Sequence, residues 1–120
     1  MRFRKRTDHY FDTETGLEWS LENLGLLLWQ EAIDACKNLG NGWRLPTIQE
    51  LLTLVDYTLI DPATELPGIV PSFYWSSTFF VNDHFYPWFI NFDDGHDGWD
   101  GKTNHYKVRA VRGGPLKYAG

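Results

Sequence analysis

The residue pattern predicts an α+β domain with helices and strands segregated along the chain. Apolar residues at helical spacing are confined to the segment from Trp29 to Val55. Short alternating runs rich in Trp, Phe, Tyr, Ile and Val lie on either side of it, at residues 3–20 and 74–112. Gly, Pro and Asn clusters punctuate the joins, at Gly40-Asn41-Gly42 and at Pro62, Pro67 and Pro71. Runs of one type followed by runs of the other belong to the α+β class rather than to a βαβ repeat.

Residues 3–20 read as two short strands around the turn Asp12-Thr13-Glu14-Thr15-Gly16. Arg2, Arg4, Lys5 and Arg6 fit the solvated face of the first strand, with Phe3 turned inward. The first helix follows in LLWQEAIDACKNLGNG, where Trp29, Ala32, Ile33, Cys36 and then Leu39 or Gly40 share one apolar face. Gly40-Asn41-Gly42 stops it. The second helix opens at Thr47. Thr47 and Glu50 stand at the two positions of a capping box, in which hydroxyl and carboxylate each satisfy a free backbone N–H. Ile48, Leu51, Leu52 and Val55 form its buried stripe. Residues 57–73 read as a long ordered loop. Three strands are then expected, at Tyr74–Thr78, Trp88–Phe92 and Lys107–Arg112, joined by large excursions. In the middle strand, alternation places Trp88, Ile90 and Phe92 on one face and Phe89 and Asn91 on the other. Gly113-Gly114-Pro115 ends the last strand.

At 120 residues the chain is expected to form one domain, residues 1–120, around one core. The net charge of −5 argues against nucleic acid as a partner. No apolar run has the length of a membrane span, so membrane insertion is not expected. The basic start MRFRKRTDHYF is not followed by an apolar run, so a secretory leader is not expected within it. Cys36 is the single cysteine, and its place on the apolar helix face marks it as packing.

Four motifs occur in a telling order: Thr15-Gly16-Leu17-Glu18-Trp19; Trp43-Arg44-Leu45-Pro46-Thr47 with Glu50-Leu51-Leu52; Tyr74-Trp75-Ser76-Ser77-Thr78; and Val108-Arg109-Ala110-Val111-Arg112. Together they resemble the domain found at the C-terminus of bacterial collagen-like adhesins, the Lcl C-terminal domain, over residues 9 to 113 or so. The resemblance implies a variant of the C-type lectin fold: two helices packed on a small, twisted, mostly antiparallel sheet, with long loops forming a binding face. It implies ligand binding, glycans included, rather than catalysis. A finer resemblance lies in residues 79–106, between the Trp-Ser-Ser strand and the closing strand. This is where variable proteins of diversity-generating retroelements, which use this fold, accumulate adenine-directed changes. Asn codons altered at adenine give Asp, His, Tyr, Phe, Gly, Ser, Ile or Val, much of the vocabulary found here. Trp99 and Lys102 do not arise from an Asn codon in this way and depart from the pattern.

The physical character of the stretch agrees with a contact surface. Of the 20 aromatic residues in the chain, 12 lie between Phe73 and Tyr106. Strand alternation cannot bury all of them among Asp, Asn and Gly. Rigid aromatic anchors beside adaptable polar groups are the make-up of a paratope. Residues 79–106 hold five Asp and one Lys, a net −4, which favours a neutral or basic ligand. The residues expected to face it are Phe79, Phe80, Asn82, Asp83, His84, Phe85, Tyr86, Phe89, Asn91, Asp93, Asp94, His96, Asp97, Trp99 and His105. Trp19, Trp29, Ile33, Leu51, Leu52, Trp75, Trp88, Ile90, Phe92, Val108 and Val111 would hold the scaffold. A plainer reading of the same stretch is a core-rich β region with polar turns at Asn82-Asp83 and Asp93-Asp94-Gly95.

Other chemistries compete for these residues. Asp93, Asp94, Asp97 and Asp100 cluster as calcium ligands do, but not at EF-hand spacing, and the carboxylates suit solvated turns as well. His84, His96 and His105 have no second cysteine with which to build a zinc site. Ser76 and Ser77 lack the glycine-flanked turn of a hydrolase nucleophile. Arg44, Arg109 and Arg112 read as scaffold, with Arg44 paired to a carboxylate or to loop carbonyls. The expectation is a non-enzymatic binding domain without cofactor or metal. Its partner would be a protein or glycan ligand at a cell or virus surface. An adhesin-type domain binding a fixed glycan, with calcium assistance, is the alternative. A subunit that hides its aromatic surface in an oligomer is a third.

Overall fold

A computed structural model describes residues 1–114. The elements run β1 (Phe3–Lys5), β2 (His9–Asp12), β3 (Glu18–Ser20), β4 (Leu26–Leu27), α1 (Trp29–Asn38), α2 (Ile48–Leu52), β5 (Phe73–Phe80), β6 (Asp83–Asn91), β7 (His96–Trp99), β8 (Tyr106–Lys107) and β9 (Val111–Arg112). The architecture is α+β. The strands form two sheets rather than the single sheet expected: β1-β2-β3-β9, all antiparallel, and β4-β8-β5-β6-β7, in which only β5 and β8 run parallel.

Residues 3–20 hold three strands where two were expected. The Asp12–Gly16 turn joins β2 to β3, and a further turn before His9 returns β1 onto β2. Phe3 is buried while Arg4, Lys5 and Arg6 face solvent. Arg2 is instead drawn to the buried Asp12, at 3.0 Å, and to the Thr53 carbonyl. The Asp12 carboxylate also receives the Thr15 hydroxyl and the Glu14 N–H. Burial works to raise its pKa, but the hydrogen bonds from Arg2, Thr15 and Glu14 outweigh it and hold the group below the ordinary range.

Helix α1 buries Trp29, Ala32 and Cys36, while Leu39 lies beyond its end and is exposed. Burial pushes the Cys36 thiol up to about 12, so it stays a neutral packing group. Helix α2 is a single turn and a half, held by both arms of its capping box: the Glu50 N–H donates to Thr47 Oγ1 at 3.2 Å and the Thr47 N–H to Glu50 Oε1 at 2.9 Å. The same carboxylate accepts both Arg44 guanidinium nitrogens, at 2.6 and 2.8 Å, and Arg44 also donates to the Gly113 carbonyl. Arg44 thus joins α2, by a bidentate pair, to the backbone just after β9, by a single hydrogen bond.

Two cores flank the larger sheet. Tyr74, Ile90 and Phe92 project from one face onto Leu51, Leu54, Leu66 and Ile69. Trp75 projects from the other onto Trp29, Ala32, Cys36, Trp43 and Val108. Loop 57–72 contains no strand or helix among its residues, yet Leu66 and Ile69 anchor it in the first core and Ala63 is buried as well. Trp19 is also in the first core, and its indole N–H is the one buried side-chain polar atom without a partner among the described residues.

The expected strand Lys107–Arg112 is broken into β8 and β9, which belong to different sheets. Arg109 explains the break. Its fully buried guanidinium donates to the carbonyls of Ser20, Leu21 and Pro67 and to Asn23 Oδ1, and burial holds its pKa below the usual value. The backbone leaves one sheet to deliver this charge and enters the other at Val111. Gly113 and Gly114 follow with positive φ, and Pro115 lies outside the described residues.

The large excursions expected between the later strands are mostly strand. Strands β5 and β6 extend until only the turn residues Val81 and Asn82 lie between the paired Phe80 and Asp83, and β7 adds another strand. The aromatics of Phe73–Phe80 and Phe85–Phe89 fall on both faces of the strands, and aromatic side chains suit a pleated surface, which is why pairing continues through them.

Candidate binding face on the β5–β7 hairpins

The stretch from Phe79 to Tyr106 folds as two consecutive hairpins whose outer parts stand clear of both cores. The β6–β7 turn is fixed by local chemistry. The Gly95 N–H donates to the Asn91 carbonyl at 2.8 Å, with Gly95 at φ 91°, a left-handed position that favours glycine. Asn91 Oδ1 accepts the Asp93 N–H and Asp94 Oδ1 accepts the His96 N–H. At the other turn Asp83 Oδ1 accepts the Phe85 N–H. Asn and Asp are therefore turn formers here as well as surface groups.

The residues expected to meet a ligand fall into three groups. The first is aromatic. Phe80 stacks on Trp99 with centroids 4.5 Å apart, and Trp88 meets both edge-on. Trp99 remains 48% exposed and Phe85 46%. Phe85 packs edge-on against Tyr86, and its ring lies over Gly101, where a Cβ would stand 3.0 Å from it. Asn82, Asp83 and His84 are exposed beside them, with His84 stacked on the half-buried Phe79. The second group is Asp94, His96 and Asp97, which with Tyr57 and Gly95 line a hollow of about 300 Å³. The third is Asn91, Asp93 and His105, which share another hollow of about 380 Å³ with Pro71, Ser72, Phe73 and Tyr106.

Trp88 and Phe89 sit differently from expectation. Trp88 shares the face of Ile90, as alternation requires, but it lies outside the buried core and joins the displayed trio with Phe80 and Trp99. Phe89 packs inward. It stacks on Phe73 at 4.8 Å, meets Tyr106 and rests on the second core, where Gly98 leaves room for its ring. Phe79 likewise touches Trp29, and Lys102 holds its ammonium 4.5 Å from the Trp29 ring and 4.8 Å from the Phe79 ring.

The electrostatics are one-sided. Among the described residues, no Lys or Arg pairs with Asp83, Asp93, Asp94, Asp97 or Asp100; the ion pair present is His96 with Asp94, at 3.5 Å. Asp93 faces Asp61 across the loop. The hydrogen bond with that carboxyl and its like charge push the Asp93 pKa up. Asp100 is turned inward, accepting the Gly101 N–H and the Tyr106 hydroxyl. Burial, then the Asp100 carboxylate, raise the Tyr106 pKa.

Among the described residues, no group of three or more His, Cys, Asp or Glu is arranged to hold a metal ion. Ser76 is buried and donates to the Trp88 carbonyl, and Ser77 donates to that of Pro46; neither meets a histidine. No helix among the described residues is long and apolar enough to cross a membrane.

Tyr57, Phe73 and Asp61 join the face although they were not expected there. Loop 56–63 is laid along the β6–β7 turn by the Asp61 N–H to the Asp93 carbonyl, 2.9 Å, and the Ala63 N–H to the Phe92 carbonyl, 2.8 Å. Tyr57 and Ile60, apolar residues off any helical stripe in a loop with Pro62, were the one trace of this in the sequence.

No curated protein matches the chain. The family profile of the Lcl C-terminal domain matches residues 9–112. That span runs from β2 to β9, takes in both helices, the larger sheet and all of the smaller one but β1, and places the chain in the Lcl C-terminal domain family.

Proposed function

We propose that the chain is a non-enzymatic, calcium-independent ligand-binding domain of C-type lectin type. Its surface at residues 79–106 is a diversified one, displayed on a fixed scaffold as in the variable proteins of diversity-generating retroelements. One observation carries the reading: exposed aromatics and carboxylates without a Lys or Arg partner are gathered on the β5–β7 hairpins, while the buried charges of the scaffold, Asp12, Glu50 and Arg109, are all engaged. Large apolar side chains left in water beside adaptable polar groups suit recognition. Membership of the Lcl C-terminal domain family is consistent with this reading.

Deep sequencing of the gene across its natural population tests it. Substitutions are expected to crowd into residues 79–106 and to spare Trp43–Glu50 and Val108–Arg112. A stretch as constant as the helices would end the diversified reading. The alternative, an adhesin-type domain for one fixed glycan with calcium assistance, would then lead. The flat Phe80–Trp99 stack favours that alternative, because it offers an apolar face to a sugar ring. A third reading, burial of the aromatic face in an oligomer, is answered by solution mass.

A further inference from the structure

β7 is the last strand of its sheet, with β6 on one side and no strand on the other among the described residues. The pairing register fixes which of its backbone groups are unused. Pro87 lies opposite Asp100, since Trp88 pairs with Trp99, and the Asp100 N–H donates to the Pro87 carbonyl at 3.2 Å. The Lys102 N–H donates to the Phe85 carbonyl, one repeat further on. Hydrogen-bonded pairs alternate with non-bonded ones in an antiparallel ladder. Gly98 and His96 therefore face β6, and the N–H and C=O groups of Asp97 and Trp99 point away from it. Neither residue's backbone has another partner among the described residues. The open edge ends there, because the Gly101 N–H is taken by Asp100 and its carbonyl by Asn104.

Natural sheets blunt such edges with charge or proline. Asp97 fits that role, but Trp99 does not: it places a half-exposed indole at the open edge, stacked on Phe80. The hollow at Tyr57, Asp94 and Asp97 lies at the start of the strand. Asp94 and Asp97 have no Lys or Arg partner among the described residues, and Lys102, the nearest lysine in sequence, is committed to Trp29 and Phe79.

We propose that the outer edge of β7 takes up an extended basic peptide segment as a further strand, its main chain pairing with Asp97 and Trp99. This rests on residues 79–106 being the binding face. Side chains two residues apart in the peptide stand opposite Asp97 and Trp99 on one face of the sheet. The position facing Asp97 selects Lys or Arg. The position facing Trp99 selects an apolar, aromatic or guanidinium group, the last by cation–π contact. Main-chain bonds supply affinity and the two side-chain positions supply selectivity.

The test pans a random octapeptide library against the intact chain. Selected peptides are remade with N-methyl groups on alternate amides, in each of the two registers. The expected peptides are net positive, with the basic and apolar positions two apart. N-methylation in one register should weaken binding by about tenfold or more, the loss of main-chain bonds, and in the other register should matter little. Asp97→Pro removes an outward N–H that β6 does not use and should weaken binding as strongly, with its melting temperature read as a control for folding. Asp97→Asn should weaken it less and flatten its dependence on salt.

Peptides that bind equally well methylated in either register, yet are lost in Trp99→Ala, would overturn the edge while leaving the binding face intact. Capture of an oligosaccharide on a glycan array with no peptide selected would do the same. A mass that rises with concentration in the wild type, and not in Asp97→Pro, would give the edge to a second copy of the chain and overturn the peptide. Ligands indifferent to every substitution in residues 79–106 would overturn both readings.

Discussion

The buried carboxylate of Glu50 and the exposed carboxylates of the β6–β7 hairpin are the same chemistry put to opposite uses. Glu50 is 5% exposed and fully engaged: two nitrogens of Arg44 and the Thr47 N–H that caps α2 converge on its carboxylate. Asp93, Asp94 and Asp97 meet no Lys or Arg among the described residues, and one of them faces another carboxyl. A charge inside the scaffold must be paired to be tolerated. A charge on the hairpins is left to solvent, and so to a ligand. Paired charge marks what holds the fold, and unpaired charge beside exposed aromatics marks what the fold displays.

Arg109→Met should break that contrast most severely. It leaves the carbonyls of Ser20, Leu21 and Pro67 without their donor in a buried site. Each such group costs about 1–3 kcal/mol, so a total of roughly 3 kcal/mol or more is expected in urea unfolding. A change within error would mean that the chain crossing between the sheets does not depend on the guanidinium.

Glu50→Gln comes next, at about 2–3 kcal/mol, since it strips the bidentate partner from Arg44. It also carries a pH signature. Burial works to raise the Glu50 pKa, but the hydrogen bonds from Arg44 and Thr47 prevail and hold it below its ordinary value. A group depressed on folding gives its full stability above its unfolded pKa, about 4.3. It loses that stability as pH falls through the folded pKa. The wild-type and Glu50→Gln stability curves should therefore lie apart at pH 7 and approach each other in acid. A constant gap down to low pH would refute the assignment.

The sequence carried the scaffold well and the displayed part less well, for physical reasons. Capping box, helix stripe and the Trp-Ser-Ser strand are local signatures, legible without knowing what packs where. The two-residue strands β4 and β8 exist only through long-range pairing, so nothing local announces them. The split at Arg109 was hidden because Val108, Arg109 and Ala110 alternate as one strand would; the adjacent apolar pair Ala110-Val111, which breaks the period, was its one trace. It is the cost of burying a guanidinium that separates β8 from β9. Alternation placed Trp88 and Ile90 on one face correctly, but period alone does not say where along that face the core ends. For the same reason Phe89, expected to face the ligand, packs on the second core.

A pair of truncations sharpens the boundary between the regions. Phe89→Ala removes a ring stacked on Phe73 and resting on the second core, and should cost about 2 kcal/mol. Phe85→Ala removes a ring of which nearly half is in water, and should cost about 0.5 kcal/mol. Thermal melts of the two variants measured together decide it. Equal losses would mean that the outer hairpin is as much a part of the core as Phe89.

The smallest effect has the opposite sign. The Asp61 carboxyl, by hydrogen bond and by charge, raises the Asp93 pKa, so the folded state holds that proton more tightly than the unfolded chain does. Such a group opposes folding where both carboxyls are ionised and ceases to do so as pH falls through the raised folded value. Asp93→Asn removes the repulsion and keeps a group able to donate to Asp61. A small rise in melting temperature is expected at pH 7, fading as the pH approaches the ordinary aspartate range near 3.8. Acid therefore moves the two carboxylates in opposite directions: it withdraws stability at Glu50 and returns it at Asp93. If Asp93→Asn lowered stability at neutral pH instead, the hairpin carboxylates would belong to the scaffold, and the division between paired and displayed charge would fail at this residue.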